Sequence, residues 1–100
     1  MDLDGNIRRA ALQAFIAAWR DDPDVLVLLQ DRATVDAHWD VRRVAVEALA
    51  AEPGTLPLLL ERAADDSWEV REAAIRALAN GWHDHPSVLS LLHDRATSGE

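Results

Sequence analysis

The chain has 100 residues, 49% of them hydrophobic, no cysteine and a formal net charge of −8. It is long enough for one ordinary core, and its composition excludes disulfides and thiolate metal sites. No apolar run nears the roughly 20 residues that span a bilayer, and the acidic balance argues against a nucleic-acid binder, which needs Lys and Arg in excess.

Ala and Leu dominate the apolar half, Tyr is absent and Phe occurs once, so the composition favours helices over strands. The first five residues are acidic and lack a signal peptide's apolar run, which makes a soluble, cytoplasmic chain the plain reading. A first helix is expected over residues 6–19, with Ile7, Ala10, Ala11, Ala14, Phe15 and Ala18 as its apolar face. A second follows over 23–34, entered by Pro23, whose missing N–H costs nothing at that position. The third, over 39–51, carries the stripe Val41, Val44, Ala45, Ala48 and Leu49. The fourth, over 54–64, is entered through the turn Pro53-Gly54, with Pro57 tolerated in its first turn. The fifth, over 68–80, ends at the stop signal Asn80-Gly81, and the sixth, entered by Pro86, spans 86–96.

These six segments are two alternating patterns, each written three times. Residues 6–15, 40–49 and 69–78 align with one another, and so do 23–33, 53–63 and 86–96. Arg8, Arg42 and Arg71 recur 34 and then 29 residues apart, mostly because the middle copy lacks the equivalent of residues 19–22. The whole chain, 1–100, therefore reads as one domain of three helical hairpins, with repeats near 2–35, 36–64 and 65–97. Its fold class is an all-α α-α superhelix.

The spacing Asp-x5-Arg is the most specific signal, at Asp2/Arg8, Asp36/Arg42 and Asp65/Arg71. Stacking should line these charges up beneath the surface, each Arg bridging two Asp side chains. All ten basic residues are Arg, the side chain whose fork fits carboxylates. The motif, with the run Val-Arg-x-x-Ala-x-x-Ala-Leu after it, resembles the Asp/Arg ladder of HEAT repeats. The phrases Trp39-Asp-Val-Arg-Arg, Trp68-Glu-Val-Arg-Glu, Gly81-Trp82 and Asp21-Asp-Pro-Asp24 are similar to short, lyase-type HEAT-like arrays attached to bacterial NACHT-type NTPases. That resemblance implies a partner-binding or ligand-sensing surface. No Gly-x4-Gly-Lys-Ser/Thr run of an NTPase is present, and there is no Lys at all.

Two surfaces are candidates for recognition. Trp39 and Trp68 begin equivalent helices, and Trp19 and Trp82 form a second equivalent pair. Each pair is either an interface hot spot or structural packing over a hairpin end. The outer face of the Ala-rich helices carries Arg43, Glu47, Glu72 and Arg76. Stacking should set Arg43 against Glu72 and Glu47 against Arg76, while each helix also pairs its own i, i+4 charges. That face either pairs with itself or recognises a charged partner.

No cofactor or metal is expected, because His83, His85 and His93 lack a cluster to complete a coordination shell. No catalytic residue stands out either, since Ser67, Ser87, Ser90 and Ser98 have no His–Asp pair suggested by spacing. Neither terminal helix looks polar on its outer side, so the ends should meet copies of themselves or further repeats. The expected function is a non-catalytic protein-binding module, with a spacer or sensing segment of a larger signalling NTPase as the alternative.

Overall fold

A computed structural model describes residues 5–97. They form six helices: α1 (Asn6–Trp19), α2 (Pro23–Val35), α3 (Trp39–Leu49), α4 (Leu56–Arg62), α5 (Trp68–Gly81) and α6 (Pro86–Thr97). Helices α1, α3 and α5 pack side by side in one layer, while α2 and α4 neighbour each other in the second. The stack measures 42 × 27 × 17 Å. The all-α hairpin repeat expected from the sequence is present.

Helix α3 is the centre, touching α1, α2 and α5. Eight of its eleven residues are buried, including the whole expected stripe and Val46. Small side chains at Ala45, Ala48, Ala73 and Ala77 line the layer interior and allow neighbouring axes to approach closely. Leu29, Leu49, Leu59 and Leu78 fill the space between the two layers. Burial falls away toward both ends, where α1 buries only Leu12 and α6 only Val88.

The helix starts are individually specified. Asp22 caps α2 by accepting the Asp24 N–H at 2.8 Å, with Pro23 at the first position. His38 does the same for α3 through Nδ1, which accepts the Asp40 N–H at 3.2 Å. Gly5 precedes α1 at φ +84°, a left-handed conformation, and a Cβ there would lie 2.6 Å from His38 Cγ.

Two boundaries differ from expectation. Helix α3 stops at Leu49 and α4 begins only at Leu56, because Pro53 and Gly54, at φ +85°, form a turn between them. Thr55 Oγ1 donates to the Leu49 carbonyl at 3.2 Å and to the Glu52 carbonyl at 2.8 Å, which satisfies acceptors that a longer α3 would have used. Gly81 is the last residue of α5, one beyond the expected end, and closes the helix without a positive φ, with Trp82 as the C-cap.

Candidate functional site

The turn aspartates are held by one geometry used twice. Asp36 accepts Nε and Nη2 of Arg8 at 3.0 and 3.1 Å, Nη1 of Arg32 at 3.2 Å, and the His38 N–H at 2.9 Å. Asp65 accepts Nε and Nη2 of Arg42 at 3.1 and 3.0 Å, Nη1 of Arg62 at 2.9 Å, and the Ser67 N–H at 2.9 Å. Burial alone would raise both pKa values. The arginine forks and the two N–H donors outweigh it and hold both carboxyls below the ordinary aspartate range. Both are therefore ionised and fully engaged near neutral pH, with nothing left over for acid–base work.

The ladder is a ladder, but its connections differ from those expected. Arg42 does not bridge the carboxylates of Asp36 and Asp65. Its Nη1 donates to the main-chain carbonyl of Asp36 at 2.7 Å, and its other nitrogens reach Asp65 and Asp66 in the following turn. Arg71 repeats the first half, donating to the Asp65 carbonyl at 2.7 Å. Asp2 lies outside the described residues. Arg32 and Arg62 complete each rung and were not singled out, although both stand before an Ala in the second repeating pattern.

Each rung also aims a tryptophan. Asp36 and Asp65 bind the N–H two residues on, which fixes His38 and Ser67 in extended geometry as the caps of α3 and α5. Trp39 and Trp68 are the next residues, so they leave the stack at the same point of successive repeats. Trp68 is 61% exposed and Trp39 38%. The Trp39 ring stacks on His38 at 6.0 Å and 21°. Between the indoles runs an open groove of about 440 Å³, lined also by Arg42, Asp66, Glu69 and Arg71. The second tryptophan pair is not equivalent in space. Trp19 is exposed beside Phe15 at 5.7 Å, whereas Trp82 packs against the core.

A protein-family model described as HEAT repeats matches residues 36–100. The chain belongs to the HEAT-repeat family. Comparison with curated proteins and with solved structures gave no match to either. The family match begins at Asp36, yet the hairpin before it is tied into the same HEAT ladder through Arg8.

The charged face of this HEAT stack pairs mainly within helices. Arg43 donates to Asp40 at 2.6 Å and to Glu47 at 3.0 Å, and Arg76 to Glu72 at 3.4 Å. The expected cross-repeat pairs, Arg43 with Glu72 and Glu47 with Arg76, are not ion pairs among the described residues. Arg43 is drawn back along its own helix to two carboxylates. The link between repeats on this side is instead Arg9 of α1 with Asp40 of α3. Arg43 and Arg9 hold Asp40 ionised against the opposing effect of burial.

Two of the histidines cap helices. His85 Nδ1 accepts the Ser87 N–H at the start of α6, as His38 does at α3, and His83 lies 3.5 Å from Asp84. Among the described residues no group of three or more His, Cys, Asp or Glu side chains is placed to hold a metal ion. No described helix is long and apolar enough to cross a membrane.

Proposed function

We propose that this HEAT-repeat chain is a non-catalytic protein-binding module whose contact surface is the Trp39/Trp68 edge. The observation that carries the reading is the placement of two indoles at one repeat position, both exposed, over a groove with Arg71 in its wall. Trp and Arg are the side chains that most often dominate interface energetics. Arg71 makes no ion pair among the described residues and bonds only the Asp65 carbonyl through its side chain, which leaves its fork open to a partner's carboxylate. The outer charged face is the weaker candidate, because Arg43, Glu47, Glu72 and Arg76 are already committed to one another and to Asp40. The module is read as working in the cytoplasm.

The test is affinity capture from the source cell with wild-type chain, Trp39→Ala/Trp68→Ala and Arg43→Glu, read by mass spectrometry. A protein retained by wild type and by Arg43→Glu, and lost with the double tryptophan variant, is the expected outcome. Retention by the double variant would overturn this choice of surface.

A second reading, a spacer or sensing segment of a larger bacterial signalling NTPase, is favoured by the exposed apolar residues at the two ends of the stack, Phe15, Trp19 and Leu89. The full open reading frame around this sequence decides between the two.

A further inference from the structure

The groove of the tryptophan edge has a definite hydrogen-bonding character. Its two carboxylates each hold a donor already: Asp66 takes Nη2 of Arg42 at 3.1 Å, and Glu69 takes the Ser67 hydroxyl at 2.7 Å. Its donors are less committed. Neither the Trp39 nor the Trp68 indole N–H has a hydrogen-bond partner among the described residues. Of the Arg71 guanidinium only Nη1 is used, on the Asp65 carbonyl at 2.7 Å. An indole N–H and a guanidinium donate and never accept, so the groove calls for an occupant that brings acceptors.

Charge and spacing narrow the choice. Arg42 and Arg71 face Asp66 and Glu69 across the lining, so the charges of the groove cancel. The two guanidiniums oppose a basic segment, and the chain's net charge of −8 opposes an acidic one. Trp39 and Trp68 are the first residues of α3 and α5, which pack side by side. Equivalent positions on neighbouring helices lie one axis spacing apart, about 8–10 Å. A polyproline II helix rises about 3.1 Å per residue and repeats every third residue, so its prolines i and i+3 lie about 9 Å apart.

We infer that the tryptophan edge binds an uncharged, proline-rich segment in polyproline II form, with prolines three apart packed on Trp39 and Trp68 and a main-chain carbonyl on the Arg71 fork. Such a segment has the complementary chemistry: proline lacks an N–H, and the carbonyls of this helix make no internal hydrogen bonds. It also arrives with little conformational freedom to lose. That matters for an open groove of about 440 Å³, which offers little buried area to offset the ordering of a flexible chain. Trp39 is itself steadied by the His38 ring stacked on it at 6.0 Å. The inference rests on the tryptophan edge being the contact surface and adds the kind of segment that occupies it.

The experiment is calorimetric titration of the whole 100-residue chain with a blocked oligoproline of about ten residues, and with Gly/Ser, oligoglutamate and oligolysine peptides of the same length. Indole N–H chemical shifts give a second readout, and circular dichroism confirms that each variant is helical. Oligoproline should bind with a Kd below about 1 mM, move the Trp39 and Trp68 indole signals and leave those of Trp19 and Trp82 in place. Trp39→Ala and Trp68→Ala should each weaken it at least about tenfold, as for interface hot spots. Arg71→Met should cost about two- to tenfold, the loss of one hydrogen bond. Arg43→Glu should change nothing, and affinity should vary less than about twofold between 0.05 and 0.5 M salt, because no net charge is matched. No oligoproline binding, equal binding of the Gly/Ser peptide, tighter binding of either charged peptide, or indifference to the tryptophan changes would each overturn the inference. If oligoproline fails while Trp39→Ala/Trp68→Ala still loses a captured protein, the edge stands and its occupant is of another kind. If that double variant keeps the captured protein, the edge itself is wrong and the inference falls with it.

Discussion

Arg42 holds Asp65 with two parallel N–H···O bonds, Nε to Oδ2 at 3.1 Å and Nη2 to Oδ1 at 3.0 Å. The carboxylate is almost fully buried and the guanidinium side chain 11% exposed, so removing one partner strands the other away from water. Arg42→Ala should cost about 3–5 kcal/mol, the range for breaking a buried pair. Arg8→Ala, which removes the more exposed fork from Asp36, should cost less. Urea unfolding of the two variants and wild type gives the order.

Acid should undo the same rungs. Burial works against ionised Asp36, Asp65 and Asp40, but the arginines and N–H donors prevail and their folded pKa values are depressed. A depressed carboxylate pKa stabilises the fold above the unfolded-chain value near 3.9, and that contribution is lost as pH falls through the folded value. Stability should therefore be level from neutral pH to about pH 5 and drop below about pH 4. Asp36→Asn/Asp65→Asn should be less stable than wild type at pH 7, and the gap should narrow toward pH 2. A gap that stays constant with pH would mean the charges contribute nothing.

Gly5 and Gly54 share a left-handed φ, +84° and +85°, but differ in surroundings. A Cβ on Gly54 meets nothing within 4 Å, while one on Gly5 lies 2.6 Å from His38 Cγ and 2.8 Å from His38 Cβ. Gly54→Ala should cost only the backbone preference, about 1–2 kcal/mol. Gly5→Ala should cost more, because His38 must move and with it the cap of α3. Chemical denaturation of both variants separates the two contributions.

The helices were legible because their apolar stripes and entrance prolines are local properties, and the α3 stripe is buried residue for residue. The existence of a ladder was legible from Asp36/Arg42 and Asp65/Arg71, but its wiring was not. Spacing along the chain places an arginine near a turn without saying whether it meets the turn's carboxylate or its carbonyl. Arg42 meets the carbonyl of its own Asp36 and the carboxylate of the next turn. The pairing of Arg43 with Glu72 failed for a related reason: Asp40 and Glu47 lie on Arg43's own helix and reach it first. Trp19 and Trp82 align in sequence but not in burial, because Trp82 is held by the core that α6 and α5 share and Trp19 lies at an open end. The exposure of Trp68 depends on Asp65 binding Ser67 N–H, a contact that no pattern of single residues displays.

The four tryptophans should divide accordingly. Trp68→Ala should change stability by no more than about 0.5 kcal/mol, as for an exposed surface site. Trp82→Ala should cost well over 1 kcal/mol, because it removes a large side chain packed on the core. Acrylamide quenching should report the same division, with Trp68 the more accessible fluorophore. Equal stability losses in the two variants would contradict the burial described above.

Asp36 gathers Arg8 of α1, Arg32 of α2 and the first turn before α3, and Asp65 does the same for α3, α4 and α5. Helix α3 belongs to both knots, which makes it the rod through which any tension between the two ends must pass. A stretched chain would then let go in steps, the outer helices peeling first and α3 last. The stack would behave as a short spring with two clasps in series, able to yield a hairpin at a time without losing its middle.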